Sequence, residues 1–356
     1  MSRIKSQVRI VGAGLLGTSI GLALTKLGVD VIIASQSKAS TALAIDYGAG
    51  RAASDHDQPA LIVVCVPPDI TADIVSRELN AFPNAVVTDV ASVKGAIIQD
   101  LEKSNADLSR FVGSHPMAGR EKGGAASGRA DLFVGRPWVV VPTDKSTSKA
   151  IDLVTDLALD LQSAPIQLDA HSHDRAVANV SHVPQLVASL LAAQLNRANV
   201  QDLNLAGQGL RDTTRIAASD PKLWVQILSA NAQEISPILK NLLADLELAI
   251  DALENPSKAG SLTAISETIQ KGNQGVERIP GKHGGRASHY AQVIVMVDDK
   301  PGELGRLFTE MGQIGINLED FKLEHSPGAP IGLAELSVLP EQETKLVTDL
   351  TERGWR

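Results

Sequence analysis

Up to about residue 143 the chain alternates short apolar runs with segments of helical character. The runs cover residues 8–11, 29–34, 61–66, 85–90, 111–113 and 138–141, and they are predominantly apolar stretches rather than alternating ones. Such runs suit parallel strands covered on both faces, with the intervening helices as crossovers. The pattern predicts a doubly wound α/β domain with one more strand at 166–168.

From 174 to about 278 the strand signal vanishes and helical periodicity takes over. Ser236-Pro237 predicts an N-cap followed by proline at the first helical position. Leu239, Leu242, Leu246, Ala249 and Leu253 follow at 3-4-3-4 spacing, and Leu243 and Ile250 widen the stripe. Such a seam suits an internal core helix or contact with a second copy. Residues 279–286, Ile-Pro-Gly-Lys-His-Gly-Gly-Arg, break all periodicity and read as a basic linker. A strand at 292–297 then opens a β-α-β-β-α order with an amphipathic helix carrying Leu304, Leu307, Phe308, Met311 and Ile314. That order predicts a small ferredoxin-like α+β domain, with Trp355-Arg356 leaving no room for a closing fourth strand.

Composition narrows the classes. With five Phe, three Trp and two Tyr, the core is built from Ala, Val, Leu and Ile, and no broad nucleobase-stacking surface is expected. Basic residues number 33 against 41 acidic ones, a net charge of −8 that speaks against nucleic acid as a partner. The single cysteine, Cys65, excludes a disulfide framework and a multi-cysteine metal site, and within the run 61–66 it reads as a small buried hydrophobe. No apolar stretch reaches the roughly 18 residues of a membrane span. Arg3, Lys5 and the apolar stretch 8–27 resemble a signal peptide, but Arg9, Thr18, Ser19, Lys26 and four glycines interrupt it. The expectation is a cytoplasmic protein with no membrane partner.

Gly12-Ala13-Gly14-Leu15-Leu16-Gly17 directly follows the first predicted strand and opens a helix, the context in which G-x-G-x-x-G signals a dinucleotide. Its glycines allow a tight turn, close approach to a pyrophosphate, and packing of helix on strand. Val66, which ends the third run, and Pro67 after it join the expected cofactor set. About 20 residues past such a fingerprint an acid usually holds the ribose 2′-hydroxyl of NAD. Here Ser35 and Gln36 stand instead, and Lys38 could neutralise a 2′-phosphate, so NADP is favoured over NAD. The expected division is a dinucleotide-binding Rossmann domain at 1–173, a helical substrate and dimerisation domain at 174–285, and a regulatory-type domain at 286–356.

His115, in Gly113-Ser114-His115-Pro116-Met117-Ala118-Gly119, lies just past the fifth run, at the carboxyl edge where such sheets bind ligands. Ser92 follows the fourth run on the same edge, where its hydroxyl could fix an imidazole tautomer; histidine is the natural proton acceptor near neutral pH. A structural histidine fits the spacing equally well. His56 and His325 read as surface residues. His171-x-His173 hints at a metal, but no third ligand is evident and none is expected. In the helical part, Ser181-His182 precedes Pro184-Gln185, and Arg211-Asp212-Thr213-Thr214-Arg215 precedes Asp220-Pro221 and Trp224. An arginine there suits a carboxylate, and internal ion pairs such as Asp212 with Arg215 fit the spacing as well.

Taken in order, the glycine fingerprint, Ser-His-Pro-Met-Ala-Gly, Ser181-His182, Arg-Asp-Thr-Thr-Arg and Asp-Pro-x-x-Trp resemble the prephenate and arogenate dehydrogenase family over nearly the whole chain. The tail, with Asp299-Lys300-Pro301-Gly302-Glu303-Leu304 and Gly315-Ile316-Asn317, resembles an ACT domain. The resemblance implies oxidative decarboxylation of a cyclohexadienyl substrate with hydride transfer to NAD(P). It further implies that His115, oriented by Ser92, accepts the ring hydroxyl proton and that Arg215 holds a substrate carboxylate. Glu121, Asp212 and Arg215 would form an ionic cluster at the entrance, Ser181 and His182 would line the pocket, and Trp224 would lie at a helical subunit interface. A homodimer is implied, as is an amino-acid effector such as tyrosine at the tail. Gln185 replaces a histidine found in some prephenate-specific members and leaves the choice between prephenate and arogenate open. Two other readings stand beside this one: a β-hydroxyacid dehydrogenase or pyrroline-carboxylate reductase type, and a non-catalytic amino-acid sensor.

Overall fold

Strand β1 (Val8–Val11) sits in the middle of a parallel sheet. The chain leaves it through helix α1 (Leu15–Lys26) to β2 (Val31–Ala34), and through α2 (Lys38–Asp46) to the two-residue β3 (Arg51–Ala52). It then crosses to β4 (Leu61–Val64), α3 (Pro68–Ala81), β5 (Val86–Asp89) and α4 (Gly95–Lys103). The strand order is β3-β2-β1-β4-β5, so the direction of winding reverses between β1 and β4. The short β3 is not visible in the apolar pattern. In the computed structural model, residues 2–119, 123–280, 290–325 and 330–356 are described. The expected linker at 279–286 and Glu121 therefore lie largely or wholly outside the described residues.

Alternate residues of the central strands feed two cores. Leu61 and Val63 join Ile10, Ile20, Leu24, Val154 and Leu157 on one face, whereas Ile62 and Val64 join Val75, Leu79, Val87, Ile97 and Phe111 on the other. Burial on both faces is why these strands read as apolar runs.

The next strands depart from the all-parallel expectation. β6 (Val112–Pro116) pairs antiparallel with β7 (Pro137–Pro142), and only after α5 (Ser148–Asp160) does β8 (Ala164–Gln167) run parallel to β7. Among the described residues between β6 and β7 only a 3-10 turn, Ala125–Ser127, intervenes, and a connection without a crossover helix returns antiparallel. A single parallel bridge, Val87 to Phe111, links this sheet to the edge of the first.

Asp169 then accepts from Ser172 N and caps helix α6 (Ala170–Val177). A π turn at Ala178–His182 carries the helix on into α7 (Val183–Gln194). Pro184 has no N–H and would press on the carbonyl four residues earlier; a widened turn just before it relieves that conflict. The continuous run Ala170–Arg197 is long and apolar enough to cross a membrane by length and composition, which corrects the expectation drawn from the sequence. It nevertheless buries His173, Asp174, His182 and Gln185.

Short helices α8 (Val200–Leu203) and α9 (Gln208–Thr214) lead to α10 (Pro221–Ala230), α11 (Ala232–Glu254) and α12 (Ser261–Glu277). Helix α11 begins a turn earlier than the Ser236-Pro237 cap predicts, with Pro237 inside it. As the sixth residue of α11, Pro237 lies past the free N–H groups of the first turn, so the carbonyl four residues earlier lacks its usual helical donor. The seam residues Leu242, Leu243, Leu246 and Leu253 are exposed in the single chain.

By internal contacts the chain forms two units, Met1–Gln194 with Thr214–Asn241, and Leu195–Thr213 with Leu242–Arg356. Helices α6, α7 and α10 group with the parallel sheet. The second unit contains β9 (Ala291–Asp298), α13 (Glu303–Ile314), β10 (Asp320–His325), β11 (Ile331–Val338) and α14 (Glu343–Glu352), an antiparallel sheet in the order β10-β11-β9. It has its own core, including Val295, Leu307, Leu336, Leu346 and Trp355. Where a fourth strand would lie, Arg356 accepts one bond from Met296 N at 2.7 Å, and Trp355 fills the edge. The Trp355 indole donates to Glu310 at 2.7 Å, and the Arg306 guanidinium lies 3.9 Å over its ring.

Candidate active site

The winding reversal between β1 and β4 opens a crevice at the carboxyl ends of the strands, the general ligand position in such sheets. Gly12 takes φ +115°, and a Cβ there would fall 2.2 Å from the Cys65 carbonyl oxygen. A Cβ on Gly17 would fall 1.9 Å from the Gly12 carbonyl oxygen, so α1 packs directly on the turn. Beside Gly14 the space is open within 4 Å, and no side chain caps the N-terminus of α1. Uncapped N–H groups beside open backbone fit a pyrophosphate.

A cavity of about 530 Å³ extends from this turn past Ser35, Gln36, Ser37, Val66 and Pro67 to Arg77. No carboxylate lines it among the described residues. Leu15, Leu16 and Gly17 support the turn from α1 without lining the cavity. Lys38 starts α2 outside the lining, and the cations that reach it are Arg9 of β1 and Arg77 of α3, which differs from the sequence expectation. Cys65 lines the cavity too; burial pushes its thiol well up, which keeps it inert.

His115 stands half-buried on β6, directly opposite Val139 on β7. Next to it, the buried Ser114 hydroxyl donates to the Asp89 carbonyl at 2.8 Å and ties β6 to β5. His115 Nδ1 lies 2.9 Å from His173 Nε2, and His173 Nδ1 lies 2.8 Å from Asp174 Oδ1. Asp174 also accepts from the backbone N–H groups of Lys94 at 2.9 Å and Gly95 at 2.8 Å, where α4 begins. Burial works to raise the Asp174 carboxyl, but bonds from His173, Gly95 and Lys94 outweigh it and hold it below the usual range. A Cβ on Gly95 would come 2.9 Å from Asp174 Oδ2. Burial, with His173, Lys94 and His182 nearby, holds the His115 imidazole well below its ordinary range, so it is neutral at pH 7.

Beneath this chain lies an ion pair with both side chains fully buried, Lys94 Nζ donating to Asp89 Oδ1. Burial pushes the Lys94 ammonium down, and Asp89 opposes that shift. Asp89 Oδ1 also accepts from Ala91 N at 2.9 Å, whereas Oδ2 has no partner among the described residues.

The π turn places a second buried imidazole nearby. His182 is 1% exposed, and its Nδ1 lies 3.0 Å from Asn231 Nδ2, which also donates to the Asp174 carbonyl at 2.8 Å. Burial lowers the His182 imidazole to about 4. Its Nε2 is buried without a partner among the described residues. Trp224 presents an edge-to-face ring with centroids 6.1 Å apart. Gln185, also buried, donates to Ser189 Oγ at 3.4 Å and accepts from Ser219 Oγ at 3.3 Å.

The structure thus brings His115, His182, Gln185 and Trp224 into one unit and leaves Ser181 half-buried on the same π turn. Arg215 opens a 3-10 turn, Arg215–Ala217, that packs on α7. Asp212 belongs to the other unit, where Gln208 donates to it at 2.7 Å. No hydrogen bond joins Ser92 to His115 among the described residues, and the side chain that meets His115 Nδ1 is His173. His173 had suggested only a metal; its neighbour His171 pairs with Glu234 at 3.3 Å, and no metal-ligand cluster occurs among the described residues. Lys94, Asp174 and Asn231 escaped sequence reasoning. The available signal was polarity inside apolar context, as with Lys94 after Val93.

Comparison with known proteins decides the family. The nucleotide-binding domain of prephenate dehydrogenase matches residues 20–166, and the dimerisation domain of prephenate dehydrogenase matches residues 169–267. The probable prephenate dehydrogenase NovF of Streptomyces niveus is 34% identical over 97% of this chain and 98% of its own length. The chain belongs to the prephenate dehydrogenase family. A prephenate dehydrogenase of Aquifex aeolicus, solved with hydroxyphenyl propionate and NAD+, superposes with a TM-score of 0.67 at 26% identity, covering 77% of this chain and 99% of that one. An arogenate dehydrogenase from Synechocystis gives a TM-score of 0.62 at 25% identity, covering 75% and 99%. As a family member the chain is a nicotinamide-dependent dehydrogenase, and it carries the family's dimerisation domain, in keeping with the exposed leucine seam of α11.

Proposed function

We propose that this chain oxidises and decarboxylates prephenate to 4-hydroxyphenylpyruvate, on the route to tyrosine, with NADP preferred as hydride acceptor. The observation that carries the reading is a neutral imidazole, His115, near the carboxyl end of β6, in the sheet bridged to the one whose crevice fits a dinucleotide. The dinucleotide supplies the hydride acceptor. His115 Nε2 accepts the hydrogen of the ring hydroxyl, so the oxygen can release electron density as hydride departs from its carbon. The bond to the ring carboxylate breaks, carbon dioxide leaves, its electron pair completes the aromatic ring, and the proton ends on the phenolic oxygen. Arg215 holds a substrate carboxylate, and Gln185 lies where the side chain, keto in prephenate or amino in arogenate, is read. The β-α-β-β-α tail is read as an ACT-type domain with tyrosine as effector; absence of any tyrosine effect on rate rejects that part.

The test is reduced-nicotinamide absorbance with prephenate and arogenate, each against NAD and NADP. Turnover is expected to be best with prephenate and NADP; silence in all four combinations, with the dinucleotide still bound, rejects the reading.

Two expectations accompany it. A base must be neutral to work, and the His115 imidazole is held below its usual value, so activity should persist below pH 6.5 and fall only as pH drops through that lowered value. A kcat/KM profile whose acidic limb lies at or above 6.5 would contradict this. Second, Ser35→Asp puts a carboxylate where a 2′-phosphate would sit and should raise the KM for NADP by about tenfold or more, the scale of one like-charge contact at a partly solvated site. NAD turnover should hold. Equal effects on both cofactors would place the 2′-phosphate elsewhere.

A further inference from the structure

Hydrogen-bond donors and acceptors around Asp174 can be followed atom by atom. A carboxylate only accepts, so His173 Nδ1, 2.8 Å from Asp174 Oδ1, carries a hydrogen. In neutral His173 the other nitrogen, Nε2, is then a bare lone pair. It lies 2.9 Å from His115 Nδ1, which must supply the hydrogen, and His115 Nε2 is left as an acceptor. On the other side, the Asp174 backbone carbonyl also only accepts, which orients the Asn231 amide with its nitrogen 2.8 Å away. The second hydrogen of that nitrogen points to His182 Nδ1 at 3.0 Å, so Nδ1 is the bare nitrogen and the hydrogen of neutral His182 sits on Nε2. That Nε2 is buried and unpartnered among the described residues, a costly state in the absence of a ligand oxygen.

We infer that Asp174 is the positioning residue of this site: through His173 it makes the free nitrogen of His115 an acceptor, and through Asn231 it makes the free nitrogen of His182 a donor. The ligand that satisfies both presents a hydroxyl to His115 and a carbonyl or carboxylate oxygen to His182. Assigning that hydroxyl to the cyclohexadienyl ring rests on the proposed function; the two tautomers do not. His173, Asp174 and Asn231 act through the two histidines. Asp174 is anchored for this by the backbone N–H groups of Lys94 and Gly95. The charged and titratable groups around His115 are His173 and Asp174 on α6, Lys94 at the start of α4 with Asp89 on β5, and His182 on the π turn.

The experiment is a long-range proton–nitrogen spectrum of the full chain labelled with 15N-histidine, at neutral pH and without substrate. Signals are assigned by loss in His115→Gln and His182→Gln. The expected result is His115 protonated on Nδ1 and His182 protonated on Nε2. His115 protonated on Nε2, or His182 on Nδ1, overturns the inference. Two further variants separate the branches. Asn231→Leu should leave the His115 pattern unchanged while His182 averages between tautomers; an unchanged His182 counts against the Asn231 branch. Asp174→Asn should average His115 and lower kcat while the dinucleotide Kd holds; a fixed His115 pattern in that variant overturns the role of the carboxylate. Because the tautomers are read without turnover, a protein that shows them but leaves prephenate unchanged fails the proposed function alone.

Discussion

His115→Asn should lower kcat on the order of 10²–10⁴, the usual contribution of a positioned general base, with dinucleotide affinity unchanged. Asparagine is smaller than histidine, but its amide nitrogen can take the place of Nδ1 and still meet His173, so that contact is kept while the acceptor nitrogen facing the substrate is lost. The side chain stands on β6, separate from the Gly12 turn and outside the cofactor cavity lining, and this separation is why binding should survive. Stopped-flow absorbance of the reduced nicotinamide measures the step directly, and fluorescence titration measures the cofactor Kd. A loss below about threefold would remove His115 from the chemistry and hand the reaction to another group.

The second large effect is on stability. Lys94→Met should destabilise the first unit by about 3–5 kcal/mol, because it leaves the Asp89 carboxylate buried and uncompensated. Both side chains are fully buried, and Asp89 already has one oxygen without a partner among the described residues. Urea unfolding of the full chain, followed by Trp138 and Trp224 fluorescence in the first unit, reports the shift. Adding Asp89→Leu to Lys94→Met should recover part of the loss, since replacing both members of a buried pair is often close to neutral. A single-variant loss under about 1 kcal/mol would mean that water or backbone rearrangement reaches Asp89 in place of the ammonium.

Much of the scaffold was legible in the chain because it rests on local rules. Apolar runs marked six strands of the N-terminal domain, and the glycine spacing marked the crevice. What escaped depends on long-range geometry. The antiparallel return of β7 turns on the missing crossover helix between two apolar runs that look alike. Ser92 occupies a plausible edge position, yet the side chain that meets His115 is His173, 58 residues beyond it and carried there by α6. Lys38 is near the second strand in sequence, while Arg77 reaches the cavity from a helix two crossovers later. Asn231 gives no sign of its role until α10 ends beside α6, because only then does one amide face a carbonyl and an imidazole together.

The widened turn at Ala178–His182 sets a rule for altering the pocket. One residue advances an α-helix by about 100° of rotation, so tightening this turn by deletion would swing everything beyond it around the helix axis. Asp174 precedes the turn and His182 ends it, and each is held by Asn231. Within these five positions, chain length governs aim more than side-chain identity does. Substitutions at Ala178, Asn179 or Val180 would tune the pocket gradually, whereas a one-residue insertion or deletion would misdirect His182 and Gln185 together.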